Sequence, residues 1–272
     1  MEIRFDGGVR DIFHHCKVPE IYDIRQTVEM LSDTGKSFSR FGDGEFKLMT
    51  ERNVDHVFQK RNAELSERLV QIISSQCDSV EVGINRIYFY KDGFEHPYIE
   101  NFIYGRGYGH MILNNGYIGY LKREYYYDSV FSIPYHHYML PKWFFDDYFE
   151  SVKNIWKGKN VLLVTGDIDM MEYSYSIFDS AKSVDLLEIS KRNAFDYRKR
   201  ILHAIFKRLP KRKNRDYVVL FACGLAATVL SFDIGSEGKF QSIDIGHLAR
   251  EYDFFKRGLF PYTKSDKYFF DS

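Results

Sequence analysis

Blocks of apolar residues alternate with amphipathic stretches over the second half of the chain. From about residue 150 the pattern predicts a helix through Trp156, a turn at Gly158 and a buried strand at 161–164. A strand that is apolar throughout is typical of a parallel sheet covered on both faces. Strands alternating with helices therefore predict an α/β fold, a Rossmann-like open, mostly parallel sheet flanked by helices. The further strands are predicted at 183–189, 216–222 and 241–245, and the helices at 193–208, 225–232 and 247–257.

The first half follows the same alternation less regularly. The pattern predicts a helix at 24–36, an extended segment at 37–41, an amphipathic helix at 58–75 and a strand at 80–90. Residues 98–150 are aromatic and interrupted by glycines, which is typical of loops and short helices around a site. Because no repeat, low-complexity tract or linker divides the chain, we expect a single domain over residues 1–272.

Composition narrows the class of protein and its setting. Lys plus Arg and Asp plus Glu both total 38, so no overall field attracts nucleic acid, and we expect no nucleic-acid partner. The cysteines Cys16, Cys77 and Cys223 form no C-x-x-C motif, which favours a reducing setting. The start of the chain lacks the apolar core of a signal peptide, and no apolar run reaches the ~20 residues of a spanning helix. These features predict a cytoplasmic protein.

One segment departs from this neutral balance. Residues 198–215 contain nine Lys or Arg and no acid, with apolar residues in between. A solvated basic helix is the ordinary interpretation of such a segment. Peripheral contact with the anionic inner face of a membrane is the alternative.

The segment from Arg40 to Glu45 reads Arg-Phe-Gly-Asp-Gly-Glu. If it is extended, Asp43 and Glu45 point to the same side, and Gly44, like Gly42 before it, lets the backbone approach a ligand. Mg²⁺ or Mn²⁺ commonly bridges such carboxylates to substrate phosphates, and Arg40 could bind a phosphate through two hydrogen bonds. An acidic turn without any site is the alternative.

A second candidate lies after the strand predicted at 241–245. His247 and Glu251 are four residues apart, so on a helix they share a face and could form an acid/base or metal-supporting pair. An ordinary surface pair has the same spacing.

Two further features are weaker. Gly224 turns a strand into a helix whose backbone N–H groups could bind a phosphate, and the Thr228 hydroxyl could assist; close packing alone would also explain the glycine. The pairs His14–His15 and His136–His137 are not predicted to bind a metal, because adjacent side chains diverge.

Five stretches together resemble, in this order, the GT-D type of bacterial glycosyltransferase, a family first catalogued as a domain of unknown function. The resemblance covers about residues 24–257, and its stretches are SFSRFGDGE, FQKRNAELSERLVQI, ISKRNAFD, CGLAATVLSFDIG and QSIDIGHLAREYDFF. It implies a D-x-E motif, here Asp43 and Glu45, that serves a divalent metal (Mn²⁺ or Mg²⁺) and the diphosphate of a nucleotide sugar. It also implies Glu251 as the base and places Asn193 on the nucleotide.

The resemblance predicts metal-dependent transfer of a hexose from a nucleotide-diphosphate sugar, with a UDP-sugar as the expected donor, to a hydroxyl of a glycan, glycoprotein or lipid-linked acceptor. A single displacement assisted by one base predicts inversion. Two arginines of the family pattern are absent, at Ile133 and near Ile168. The sequence therefore leaves two alternatives open, a metal-dependent phosphoesterase or nucleotidyltransferase and an inactive glycan-binding relative. It also leaves open whether the chain forms a homodimer.

Overall fold

The computed structural model describes residues 18–50, 56, 58–89, 112, 115–138 and 140–259. The described strands form one open sheet of eight in the order β1-β4-β3-β2-β8-β7-β5-β6, and every described pair is parallel. The strands are β1 (Glu20–Ile21), β2 (Ser37–Phe41), β3 (Val80–Ile84), β4 (Tyr125–Asp128), β5 (Asn160–Thr165), β6 (Ser183–Glu188), β7 (Tyr217–Ala222) and β8 (Gln241–Asp244).

Helices cover both faces of this sheet. One buried apolar cluster lies under α2, α3, α6 and α7, and the other lies under α1, α5 and α8. The α-helices are α1 (Ile24–Thr34), α2 (Asp43–Thr50), α3 (Ala63–Ile73), α4 (Pro134–His137), α5 (Lys142–Asn154), α6 (Arg198–Arg208), α7 (Ala226–Ser236) and α8 (Leu248–Arg257). None of the described helices is long and apolar enough to cross a membrane.

The strand order places a topological switch at the centre of the sheet. Strands β1–β4 occupy one side and β5–β8 the other, and the two sides meet where β2 pairs with β8, with Phe38 opposite Ile243. In open α/β sheets, ligands bind beyond the carboxyl ends of the strands at such a switch. This rule predicts a ligand site at the residues after Phe41 and around Asp244.

The predicted Rossmann-like sheet is confirmed, and the later elements lie within a few residues of their predicted bounds. The middle region is more regular than predicted, because it contains β4 and the 13-residue helix α5, which ends before Trp156. The strand predicted at 80–90 ends at Ile84 and continues as the 3₁₀ helix Arg86–Phe89. His14, His15 and Cys16 lie outside the described residues.

Candidate functional site at the switch between β2 and β8

Arg40 places a cation at the switch point. It precedes the last residue of β2, its side chain is 16% exposed, and its Nε lies 3.6 Å from Oδ1 of Asp244 at the end of β8. The guanidinium rests against Gly246, where an added Cβ would lie only 2.4 Å from a guanidinium nitrogen. Gly246 also has a φ of +47°, which disfavours other residues. Position 246 therefore favours glycine for two reasons, the left-handed backbone and the space that the Arg40 guanidinium occupies.

Asp244 is a buried carboxylate that the sequence analysis passed over. Burial raises its pKa to about 6; Arg40 opposes this shift and nearby Glu45 adds to it. Its Oδ1 accepts the Gly246 N–H at 3.0 Å, whereas no described residue gives Oδ2 a hydrogen bond. Because buried acceptors in native proteins are almost always satisfied, the unpaired oxygen beside a cation points to a functional position.

The predicted geometry of the acidic motif is wrong. Asp43 and Glu45 do not lie on an extended segment but in the first turn of α2, where residues two apart are separated by about 200°. Glu45 is buried: its Oε2 accepts the Gly42 N–H at 2.8 Å, and its Oε1 lies 3.3 Å from the Thr228 hydroxyl, whose single proton it shares with the Arg40 carbonyl. This is half of a capping box, which explains why the helix begins here. Asp43 instead accepts a hydrogen bond from Lys47 at 2.9 Å. The two carboxylates therefore do not face one point.

The wall beside this turn comes from β7 and α7. Gly224, with a φ of +61°, turns the chain into α7, whose N-terminus has no side-chain cap. The Thr228 hydroxyl, predicted to assist a phosphate, is buried and donates to the Arg40 carbonyl at 2.9 Å. The Thr228 hydroxyl therefore stabilises the end of β2. An added Cβ at Gly44 would lie 3.1 Å from the His56 ring, so this glycine makes room for an imidazole.

Asn193 lies at the rim of the same wall. It adopts a left-handed backbone with a φ of 53°; its Oδ1 accepts the Lys60 N–H at 2.8 Å and its own N–H donates to the Phe58 carbonyl at 2.7 Å. Phe58 in turn lies over Gly224, with its Cβ 3.7 Å from where a Cβ would stand there. Asn193 thus holds the loop that covers the start of α7.

On the other side of Arg40, Glu251 is paired with His136. Glu251 is fully buried on α8; its Oε2 accepts the His136 backbone N–H at 3.0 Å and its Oε1 lies against His136 Nδ1. His136 was considered above only as a metal ligand, and its pairing with Glu251 was not predicted. No local signal could have revealed it, because the partners are 115 residues apart.

The neighbouring histidines are held neutral. Burial, followed by His136 and Arg40, lowers the pKa of His137 to about 3. Burial, followed by Arg40, Arg250 and His136, lowers the pKa of His247 to about 3. The predicted pairing of His247 with Glu251 is replaced by the contact between Glu251 and His136, while His247 lies at the start of α8.

The positions where family arginines are absent have defined surroundings. Ile133 packs against the buried cluster under α1, α5 and α8. At the end of β5, Asp167 accepts a hydrogen bond from Arg250 at 3.1 Å, and Arg250 also donates to the Tyr173 hydroxyl at 3.3 Å. Arg250 of α8 therefore places a cation beside Asp167, next to the position near Ile168 where the family arginine is absent.

Comparison with known proteins gives consistent matches. The model of the glycosyltransferase GT-D fold family matches residues 38–268. A probable glycosyl transferase, Gly, of Streptococcus gordonii is 26% identical over 88% of this chain, and the glycosyltransferase GlyD of Streptococcus pneumoniae serotype 4 is 24% identical over 88%. These matches cover only 33% and 28% of the relatives, so the chain spans about a third of their length.

Two solved structures are similar over nearly the whole fold. One, of the domain of unknown function 1792 and described as having a distinct glycosyltransferase fold, has a TM-score of 0.78 and 27% identity, and the match covers 93% of this chain and 87% of that one. The other, described as a new glycosyltransferase from Streptococcus sanguinis, has a TM-score of 0.75 and 26% identity over 89% of this chain and 86% of that one.

Proposed function

The chain belongs to the glycosyltransferase GT-D fold family, and on that premise we propose that it transfers a hexose from a nucleotide-diphosphate sugar to an acceptor hydroxyl. The sequence-based assignment to this family is confirmed by the family match and by the fold. The proposal extends to UDP-sugars as donors and to a glycan, glycoprotein or lipid-linked acceptor.

The observation that carries the proposal is the position of Arg40. Its guanidinium lies at the switch point, beside Asp244 and against the glycine turn into α8, and its backbone carbonyl accepts the Thr228 hydroxyl of α7. Helix N-termini and an arginine together favour a dianionic group such as a diphosphate. In a transferase the same groups stabilise the charge that develops on the diphosphate as it leaves.

The acceptor proton needs a base, and His136 with Glu251 suits that role. When Nδ1 of His136 donates to Glu251, Nε2 is the nitrogen that remains to take up a proton; it is buried in this structure, so the acceptor reaches it only after a local movement. His137 and His247, with a pKa of about 3, are much weaker bases at neutral pH. Glu251, predicted as the base, would thus act through His136 and not by touching the acceptor.

The proposed reaction is a single displacement. The acceptor oxygen attacks the anomeric carbon, the bond from that carbon to the diphosphate oxygen breaks, and the acceptor proton moves to Nε2 of His136. Attack opposite the leaving group inverts the anomeric centre, which NMR of the product would establish.

The residues assigned to a metal fit that role only in part. Asp43 has a side chain that is 37% exposed, at the start of α2, and could hold a divalent ion together with a bound diphosphate. Glu45 is buried, caps its helix through the Gly42 N–H and does not face the same point as Asp43, so in this conformation the two do not form a ligand pair. Among the described residues, no group of three or more His, Cys, Asp or Glu is placed to bind a metal. Metal dependence therefore stays a prediction, and none of the steps above depends on it.

Incubation with UDP-sugars, with and without Mn²⁺, tests the proposal. We expect slow hydrolysis of one donor to free sugar and UDP, because water replaces the missing acceptor. Formation of sugar phosphate and UMP would instead identify a phosphoesterase or nucleotidyltransferase. Thermal stabilisation by a UDP-sugar without any hydrolysis would identify an inactive glycan-binding relative.

A further inference from the structure

A strongly basic surface lies on the face of the sheet that carries the first apolar cluster. It comprises residues 198–215, that is, helix α6 and the loop from Leu209 to the start of β7. Buried Ile201 and Ile205 fasten the helix to the first apolar cluster. The exposed cations of this basic surface are Lys199, Arg200, Lys207, Arg208, Lys211, Arg212, Lys213 and Arg215.

The helical geometry separates an inner and an outer face. At about 100° per residue, Lys199, His203, Phe206 and Lys207 fall within about 100° of one another, opposite the buried isoleucines. Phe206 is 40% exposed at one edge of this outer face, next to Lys199 and Lys207. An exposed aromatic ring surrounded by cations is the pattern of a helix that lies in the interface of a membrane.

The charge on this surface is largely unpaired. Among the described residues, ion pairs engage only two of its cations, Arg198 with Glu64 and Arg208 with Asp185. The whole chain has no net charge, so the nine cations of residues 198–215 leave a charge of −9 on the remainder. The attraction to an anionic partner is therefore confined to this surface, and the rest of the protein is repelled.

We propose that the basic surface docks the protein onto an anionic lipid bilayer, with the cations at the headgroups and the Phe206 ring between them. The proposal rests on charge and shape alone and does not depend on the transferase reaction. Phe206 favours lipid over a nucleic-acid duplex, because the stacked bases of a duplex offer the exposed ring no apolar face, whereas a bilayer has an apolar layer for it to enter.

Docking would set the distance between the membrane and the candidate site. Helix α6 begins one 3₁₀ turn after Asn193, at the carboxyl edge of the sheet, and runs for about 16 Å towards the opposite edge. A bilayer lying along α6 would thus reach the rim of the site held by Asn193. A lipid-linked acceptor could present its hydroxyl there.

Flotation with lipid vesicles tests the proposal. We expect the full chain to bind vesicles of phosphatidylcholine mixed with phosphatidylglycerol, to ignore pure phosphatidylcholine, and to dissociate at high salt. The double variant Lys211→Gln, Lys213→Gln should bind the anionic vesicles on the order of tenfold more weakly. Phe206→Ser should weaken vesicle binding and leave retention on a sulfated polyanion resin unchanged.

A matched control removes the same charge from the opposite face of the sheet. Lys142→Gln with Lys256→Gln alters two exposed lysines on α5 and α8, and we expect vesicle binding like that of the unmodified chain. Equal binding by both double variants would overturn the proposal. Tighter binding to duplex DNA than to anionic vesicles would also overturn it. Unchanged unfolding temperatures would establish that each variant is folded.

Discussion

The two turns that meet at the switch point use their buried glutamates in opposite ways. Glu45 on α2 is bonded to Gly42 of its own turn and to Thr228, whereas Glu251 on α8 reaches across to His136 on α4. Glu45 is the third residue of its helix, where a side chain can bend back to the backbone before it. Glu251 is the fourth residue of its helix and faces another element. A shift of one position thus separates a residue that shapes the backbone from one that positions a second side chain.

The largest effect is expected at Gly246. In Gly246→Ala the added Cβ would collide with the Arg40 guanidinium, 2.4 Å away, so we expect donor hydrolysis to fall below detection. Gly238→Ala is the matched control, because it has a similar φ of +63° and no atom within 4 Å. Both variants should lose about 1 kcal/mol of stability from the strained backbone. Equal activity in the two would show that the contact with Arg40 is unimportant.

The next largest effect concerns the contact between Glu251 and His136. We expect Glu251→Gln and His136→Asn each to lower kcat by at least about a hundredfold, the usual contribution of a general base. The pH–rate profile separates the roles. A base limb that remains in Glu251→Gln would mark Glu251 as a positioning residue; the limb should vanish in His136→Asn. The titratable groups near His136 are Glu251, His137 and His247.

A vanished limb in Glu251→Gln, together with an intact limb in His136→Asn, would restore Glu251 as the base. This outcome would leave the proposed transferase reaction standing, because UDP release would still be observed with the unmodified chain.

A smaller effect is expected on the pH dependence of stability at Asp244. Its folded pKa of about 6 lies above the ordinary 3.8, so the folded protein holds this proton more tightly than the unfolded chain. The stabilisation is complete below about pH 4 and is lost as the pH rises through about 6. Asp244→Asn should therefore gain stability relative to the unmodified chain over this range, by at most about 3 kcal/mol. Urea unfolding at several pH values measures it, and a pH-independent difference would contradict the assignment.

The smallest effects separate the two acids of the D-x-E motif. Glutamine can replace glutamate in a capping box, so Glu45→Gln should retain both stability and activity. Asp43→Asn should lower the response of activity to Mn²⁺ by about tenfold, because one charged ligand is lost while the fold is unaffected. Titration of activity against Mn²⁺ compares the two variants. A loss of metal response in Glu45→Gln would show that Glu45 leaves its capping bonds when a donor binds.

The regular part of the fold was predictable because its signals are local. The apolar run of β5 and the amphipathic pattern of α3 each depend on a few adjacent residues. Although tyrosine favours strands, β4 was missed because its sequence, Tyr-Tyr-Tyr-Asp, shows no alternation of apolar and polar positions and its burial depends on neighbouring strands. α2 was missed because Gly44 disfavours a helix, and the capping bond from Glu45 offsets that cost.

The candidate site was predictable only where a single residue stands in a recognisable local motif. Arg40, Glu45 and Glu251 stand in recognisable motifs. Asp244 precedes an ordinary turn, and only its proximity to Arg40 makes its charge significant. His136 becomes a candidate only because α8 places Glu251 beside it.

The pairing of β2 with β8 also fixes when the site can form. Ser39 on β2 donates a hydrogen bond to the carbonyl of Thr228, 189 residues later, and Arg40 is enclosed only once Gly246 has been made. At the usual speed of synthesis this interval lasts roughly 10–40 s. During this interval β2 lacks its neighbour β8, and its edge is exposed to chaperones.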